Sequence, residues 1–197
     1  VNIKKKEYDY FFRSMSAGKT LGGLARTTRE AARILDACGK DIIIIETVGV
    51  WQSELEIAKV TDTVVVMLTP ESGDGVQIMK AGLIEIADVF VVNKCDRPGA
   101  ENVAQSLKGM LDRIESRLDW RPPIFMTSAS FNKGIDSLYN GLWDHNRHLK
   151  SDNKIEQRRQ LQIKEELKHH VEAELNKLVW DVMDNGQDFD EVLKKVW

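Results

Sequence analysis

Four apolar residues, Val89-Phe90-Val91-Val92, run without a polar interruption into Asn93-Lys94-Cys95-Asp96. So apolar a run does not suit a strand with one face in water; it predicts a parallel strand covered by helices on both faces. Asp41 to Ile45 (Asp-Ile-Ile-Ile-Ile) and Thr63 to Leu68 read the same way, and Ile124 to Met126 is a shorter strand. Helical spacing falls between them. Ala25 to Cys38 gathers Leu24, Ala31, Ile34, Leu35 and Cys38 on one face before Gly39 closes it, and a short helix is expected over about 54–60. Val76, Met79, Leu83, Ile84 and Ile86 mark another helix. Val103, Leu107, Met110, Leu111, Ile114 and Leu118 mark one that begins after Pro98 and stops at Trp120-Arg121-Pro122-Pro123. Gly134 to about His148 is the next, with Ile135, Leu138, Leu142 and Trp143 expected inward. This alternation predicts an α/β fold with a helix-covered parallel sheet.

Ligands of such sheets bind at the carboxyl ends of the strands, and the chemistry-bearing residues fall there. Asp96 can accept hydrogen bonds from the N1 and N2 donors of guanine. Asn93 can bond to the far side of the base, and the Lys94 stem can lie across the ring with its charge in solvent. Adenine offers the wrong donors at those positions. The alternative is a strand end followed by a polar turn. Ser128-Ala129, just after Ile124 to Met126, can present backbone N–H groups to the guanine carbonyl oxygen. Glu46-Thr47-Val48-Gly49 follows the isoleucine run. A carboxylate there can hold a magnesium-bound water, and Gly49 can offer its N–H to a terminal phosphate that approaches the backbone closely. Its bland counterpart is a strand-to-loop turn with a merely polar Glu46. Asp74, in the turn-rich loop after Leu68, is placed to cap the helix that follows.

Gly18-Lys19-Thr20 is not a phosphate loop. The motif requires a further glycine upstream of Gly18 at a fixed spacing that this stretch does not supply, and no buried strand leads in. A short strand is possible near residues 8 to 13, and Lys4-Lys5-Lys6 reads as a solvated edge. With 28 basic and 31 acidic residues, a net charge of -3 and no basic cluster interleaved with aromatics, the chain does not read as a nucleic-acid binder. Cys38 and Cys95 lie in unlike settings, as in a reducing compartment, and no apolar run reaches membrane-spanning length. No signal-like segment opens the chain, so a cytoplasmic location is expected.

From Ser151 the pattern changes. Residues 152–184 hold no Gly or Pro, and Ile155, Ile163, Leu167, Val171, Leu175, Leu178 and Val182 recur mostly at intervals of four. A helix of this length spans roughly 45 Å, too long to serve only as a core helix. Two readings stand: an arm that packs on a partner subunit, or a helix folded back over its own domain. Asn185-Gly186 ends it, and a further helix is expected from Phe189 to Trp197. The division predicted is 1–150 for a nucleotide-binding domain and 151–197 for a helical arm. His145, His148, His169 and His170 show no metal-ligand spacing and read as surface residues.

Together these segments resemble a known family, the GTPases that accompany adenosylcobalamin-dependent acyl-CoA mutases. The type member is the methylmalonyl-CoA mutase accessory GTPase, and the name arginine/ornithine transport system ATPase or kinase is also used. The strings that carry the resemblance are Leu21-Gly22-Gly23-Leu24-Ala25-Arg26, Glu46-Thr47-Val48-Gly49-Val50, Gln52-Ser53-Glu54, Gly73-Asp74, Gln77, Lys80, Asn93-Lys94-Cys95-Asp96 and Ser128-Ala129.

The resemblance implies a P-loop NTPase-type parallel sheet of the signal-recognition and metallochaperone kind, here lacking its N-terminal strands, with a C-terminal helical arm. It implies a homodimeric, Mg2+-dependent protein that binds GTP and GDP, gates cofactor delivery to the mutase and protects it, without nucleic acid or membrane partners. It assigns catalysis to Glu46, Gly49, Gln52 and Lys80, with Glu46 also at the metal. The segment from Gly73 to Lys80, including Asp74 and Gln77, would be the loop that reports nucleotide state to the mutase. Asn93, Lys94, Asp96, Ser128 and Ala129 would hold the base.

Two departures qualify the match. The family's phosphate loop and an early magnesium-binding Asp lie upstream of residue 1, so the complete protein is expected to carry them and the 197-residue chain alone to be inactive. Trp51 stands where the family has Gly, beside Gln52. The alternative function is a nucleotide-free or hydrolysis-deficient dimerisation and docking module. A transport ATPase is disfavoured by the guanine-selecting tetrapeptide.

Overall fold

The computed structural model describes residues 10–15, 26–47, 57–72, 82–114 and 119–185. The chain divides into two compact units, Val1–Ile57 and Ala58–Trp197.

In the first unit, α1 spans Arg26–Ala37. Its end follows from backbone geometry: Gly39 adopts φ 78°, its N–H donates to Asp36 O (2.9 Å), and Lys40 N–H donates to Leu35 O (3.1 Å). This pair of bonds satisfies carbonyls that the last helical turn leaves open. Residues 41–47 form no helix or strand, and among the described residues they join no ladder. Ile42 is 58% and Ile44 86% exposed, so the covered strand expected at Asp41 to Ile45 is not what the structure contains. An isoleucine run states a demand for cover on two faces, and no described strand pairs with this one.

In the second unit, β1 (Val65–Leu68), β2 (Val89–Val92) and β3 (Ile124–Met126) form a parallel sheet in the order β1-β2-β3. Val65 pairs with Val89 and Leu68 with Val92, while Phe90 pairs with Ile124 and Val92 with Met126. All four residues of β2 are fully buried, as the apolar run predicts. The short helix α2 is Leu83–Ile86, and α3 is Ala100–Ile114, which buries Ala100, Leu107 and Leu111. The last two lie four apart on one face, next to the sheet core.

Helix α4, Ile135–Lys150, buries Gly141, His145 and Leu149. Gly141 permits a close approach, because a Cβ there would collide with the Phe125 ring of β3. This buried face is rotated from the expected one. Trp143 lies at the surface, edge-on to Tyr139 (6.1 Å), and His145, expected at the surface, is 1% exposed. A histidine can occupy the buried stripe because both ring nitrogens have partners, as shown below.

A 3-10 turn, Ser151–Asn153, joins α4 to α5, Lys154–Asn185. The root of α5 docks on the sheet unit: Arg159 pairs with Asp62 (2.7 and 3.1 Å), and Gln162 donates to Thr61 O (3.0 Å). Farther along, residues 171–180 are all exposed, including Val171, Leu175, Leu178 and Trp180. No described helix is long and apolar enough to cross a membrane.

Candidate functional site

The parallel ladder continues past the strands and aligns their loops. Asn93 N–H donates to Leu68 O (2.8 Å), and Thr127 N–H donates to Val92 O (2.9 Å). Lys94 then takes a left-handed conformation, φ 55°, uncommon for a residue with a side chain. That reversal lets Cys95 N–H reach Thr127 O (2.9 Å) and Arg97 N–H close a turn on Lys94 O (2.9 Å). The loop after β2 and the loop after β3 are therefore laced together by backbone bonds.

Side chains complete the lacing. Asn93 Oδ1 accepts from Thr127 Oγ1 and from Ala129 N–H, each at 3.3 Å. The Ser128 hydroxyl donates to Asp96 Oδ1. Thr127 and Ser128 are each 2% exposed, and each has a partner, as buried hydroxyls require. The second loop is pinned from behind: Ser128 and Lys133 exchange N–H···O bonds at 3.0 Å across the 3-10 turn Ala129–Phe131. Gly134 follows at φ 74°, where a Cβ would strike the Met126 carbonyl oxygen, so only glycine fits there.

The five residues expected around the base, Asn93, Lys94, Asp96, Ser128 and Ala129, thus lie together at the carboxyl end of β2 and β3. The Ala129 N–H, expected to face the base, is shared with Asn93. Glu71 and Thr127 are not among the expected residues. Glu71 sits in the 3-10 turn Pro70–Ser72 after β1, with Oε2 3.3 Å from Lys94 Nζ and Oε1 on Arg97. Its signal in the sequence was an acid just past a strand end on the same rim.

Of the remaining expected residues, Glu46 is described within the first unit, exposed just after the isoleucine run. Gly49, Gln52, Asp74, Gln77 and Lys80 lie outside the described residues, as does Trp51. Glu46 offers a single hard oxygen donor group, which suits a magnesium ion that keeps most of its waters. Among the described residues no cluster of three or more His, Cys, Asp or Glu could hold a metal.

The opposite end of β2 carries a different constellation. Asp88 accepts from Arg158 at both carboxylate oxygens (3.2 and 2.9 Å) and from Val64 N–H (2.8 Å), and faces His145 Nε2 at 3.3 Å. His145 Nδ1 lies 2.9 Å from Thr63 Oγ1, and the Trp120 indole N–H donates to Asp88 O (2.8 Å). Burial alone would raise the Asp88 pKa. The hydrogen bonds from His145 and Arg158, with their charge, outweigh it and hold the carboxyl below its ordinary value. A groove of about 320 Å³ opens beside this network, lined in part by Trp120, His148 and Lys154. No residue expected to bind nucleotide lines it.

Comparisons with known proteins identify the family. The family profile described as "Methylmalonyl Co-A mutase-associated GTPase MeaB" matches residues 2–184. A Pyrococcus abyssi protein with a provisional GTPase name is 42% identical over 190 residues, covering 94% of this chain and 58% of the relative. The GTPase ArgK of Escherichia coli is 33% identical over 190 residues, covering 94% and 56%. A crystal structure of a LAO/AO transport system kinase superposes with a TM-score of 0.66 at 29% identity, over 85% of this chain and 53% of that one. The chain thus spans about half the length of the curated relatives it matches. With the parallel sheet, the laced rim and a match over nearly its full length, this chain belongs to the MeaB family of methylmalonyl-CoA mutase-associated GTPases.

Proposed function

We propose that the rim of Asn93, Lys94, Asp96, Ser128 and Ala129 binds the guanine base of GTP and GDP. The complete protein, on this reading, is a Mg2+-dependent GTPase that gates cofactor delivery to, and protects, an adenosylcobalamin-dependent acyl-CoA mutase. The observation that carries the base site is the Ser128 hydroxyl on Asp96 Oδ1. It fixes the carboxylate plane while leaving lone pairs on both oxygens for the N1–H and N2–H of guanine. The base carbonyl competes with Asn93 for the Ala129 N–H, a bond already long at 3.3 Å. The Lys94 stem covers one face of the ring.

Glu46 is assigned to the magnesium ion through water. Gly49, Gln52 and Lys80 are assigned to the transferring phosphate, and Asp74 and Gln77 to the loop that signals to the mutase. Residues 1–150 form the nucleotide-binding part and 151–197 a dimerisation arm. The exposed apolar stripe of α5, from Leu167 through Val171, Leu175 and Leu178, supports a second copy as its partner. The mutase partner is supported by the family description, and the location is cytoplasmic.

The stripe also favours a second reading, a dimerisation and docking module that no longer binds nucleotide. Calorimetric titration of GDP, with ATP as control, separates the two. Preference for GDP, abolished in Asp96→Asn with gain of xanthosine diphosphate binding, is the expected result. Equal binding of ATP and GDP overturns the base site, and absence of both supports the docking module.

A further inference from the structure

We propose that Glu71 is a positioning residue for Lys94: it tethers the ammonium so that the lysine stem is held ready to cover the base. The proposal rests on the guanine reading of the rim and adds a residue on a third loop. Glu71 reaches from the turn after β1 to the loop after β2, placing one carboxylate oxygen on Lys94 and the other on Arg97. Three features make this more than a surface contact. The left-handed backbone at Lys94 fixes where the side chain leaves the loop. The turn closed by Arg97 N–H on Lys94 O brings both cations to one side of the loop, within reach of a single acid. Glu71 is itself held three residues beyond the last β1 residue, Leu68, whose carbonyl accepts from Asn93 N–H, so both ends of the tether start from one ladder.

The chemistry follows from side-chain entropy. A lysine stem has four rotatable bonds, and a base that stacks on it must order them. With the head anchored, much of that ordering precedes ligand arrival. Glu71 thereby strengthens binding of any purine nucleotide on the rim without reading the base edge, which is the task of Asp96. The three side chains are about half exposed: 43% for Lys94, 44% for Glu71 and 53% for Arg97. The tether is therefore screened by salt and modest in size.

The test uses the full-length gene product and N-methylanthraniloyl-GDP. Glu71→Gln is expected to raise Kd about two- to five-fold, chiefly through faster release, at low salt. The difference is expected to collapse near 1 M salt, where screening acts within about 3 Å. Lys94→Met keeps a stem and removes the ammonium, so Glu71→Gln added to it is expected to have no further effect. Glu71→Asp is expected to restore affinity in part, and the thermal midpoint to stay unchanged throughout. Effects that simply add in the double variant, or that persist at high salt, overturn the Glu71 role. Asp96→Asn is run in parallel: if it fails to exchange guanine for xanthine preference, the rim reading falls and this proposal with it. If it exchanges normally while Glu71→Gln matches the wild type, only the Glu71 role is lost.

Discussion

The buried strand β2 has a carboxylate near each end, and the two sit in opposite settings. Asp88, at the amino end, is 14% exposed and bonds within the molecule to Arg158, Val64 N–H and His145. Asp96, past the carboxyl end, is exposed, and the Ser128 hydroxyl engages one of its oxygens. The same functional group thus closes the structure at one end and, on the proposed function, receives a ligand at the other. What distinguishes them is saturation rather than residue type. A carboxylate with its lone pairs spent on guanidinium, imidazole and backbone N–H has nothing left to offer a base. One oriented by a single hydroxyl does.

The sharpest way to break the comparison is at Asp88. Asp88→Ala leaves Arg158, His145 and Val64 N–H without their acceptor, and is expected to cost about 3–5 kcal/mol in urea unfolding. The same carboxyl makes an acid limb. Its pKa is lower folded than unfolded, so its stabilisation is complete above the ordinary value of 3.8 and is lost as pH falls through the depressed folded value. Asp88→Asn is expected to remove that limb from the pH–stability profile.

Gly134→Ala comes next, since it combines a left-handed backbone with a collision against Met126 O. A loss of about 2–3 kcal/mol is expected, with weaker GDP binding because the Ser128 loop shifts. Asp96→Asn then tests the open end. GDP affinity is expected to fall roughly ten- to one-hundred-fold, with unfolding free energy within about 0.5 kcal/mol of wild type. An equal loss of stability at Asp96 and Asp88 would erase the distinction. Smallest is Ser128→Ala, expected to weaken GDP binding about five-fold, the roughly 1 kcal/mol share of an ordinary hydrogen bond, while guanine preference persists.

How far each end was legible in the sequence follows the same division. Val89 to Val92 and Asn93 to Asp96 are contiguous, and a uniformly apolar run before a polar tetrapeptide is a local pattern with a local cause. Ser128-Ala129 could be placed beside them because parallel strands bring their carboxyl ends to one rim. The Asp88 network had no such pattern. Its members are Thr63, Asp88, Trp120, His145 and Arg158, spread over five separate segments, and only the fold makes them neighbours. His145 therefore read as a surface residue and Trp143 as a core one. The isoleucines at 42 and 44 failed differently: composition describes the cover a strand needs, not whether neighbours provide it. Glu71 was missed because its meaning depends on a lysine 23 positions later.

The anchored root of α5 has a mechanical consequence. From Arg159 to Asn185 the helix extends about 39 Å at 1.5 Å per residue, so each degree of tilt at its base moves the tip by about 0.7 Å. Arg158 on Asp88 and Arg159 on Asp62 form the bearing of that lever, two adjacent residues gripping carboxylates on the sheet unit. Because Asp88 immediately precedes β2 and Asn93 immediately follows it, a strain of a fraction of an ångström along β2 would be read out at the far end of the helix as a displacement several times larger.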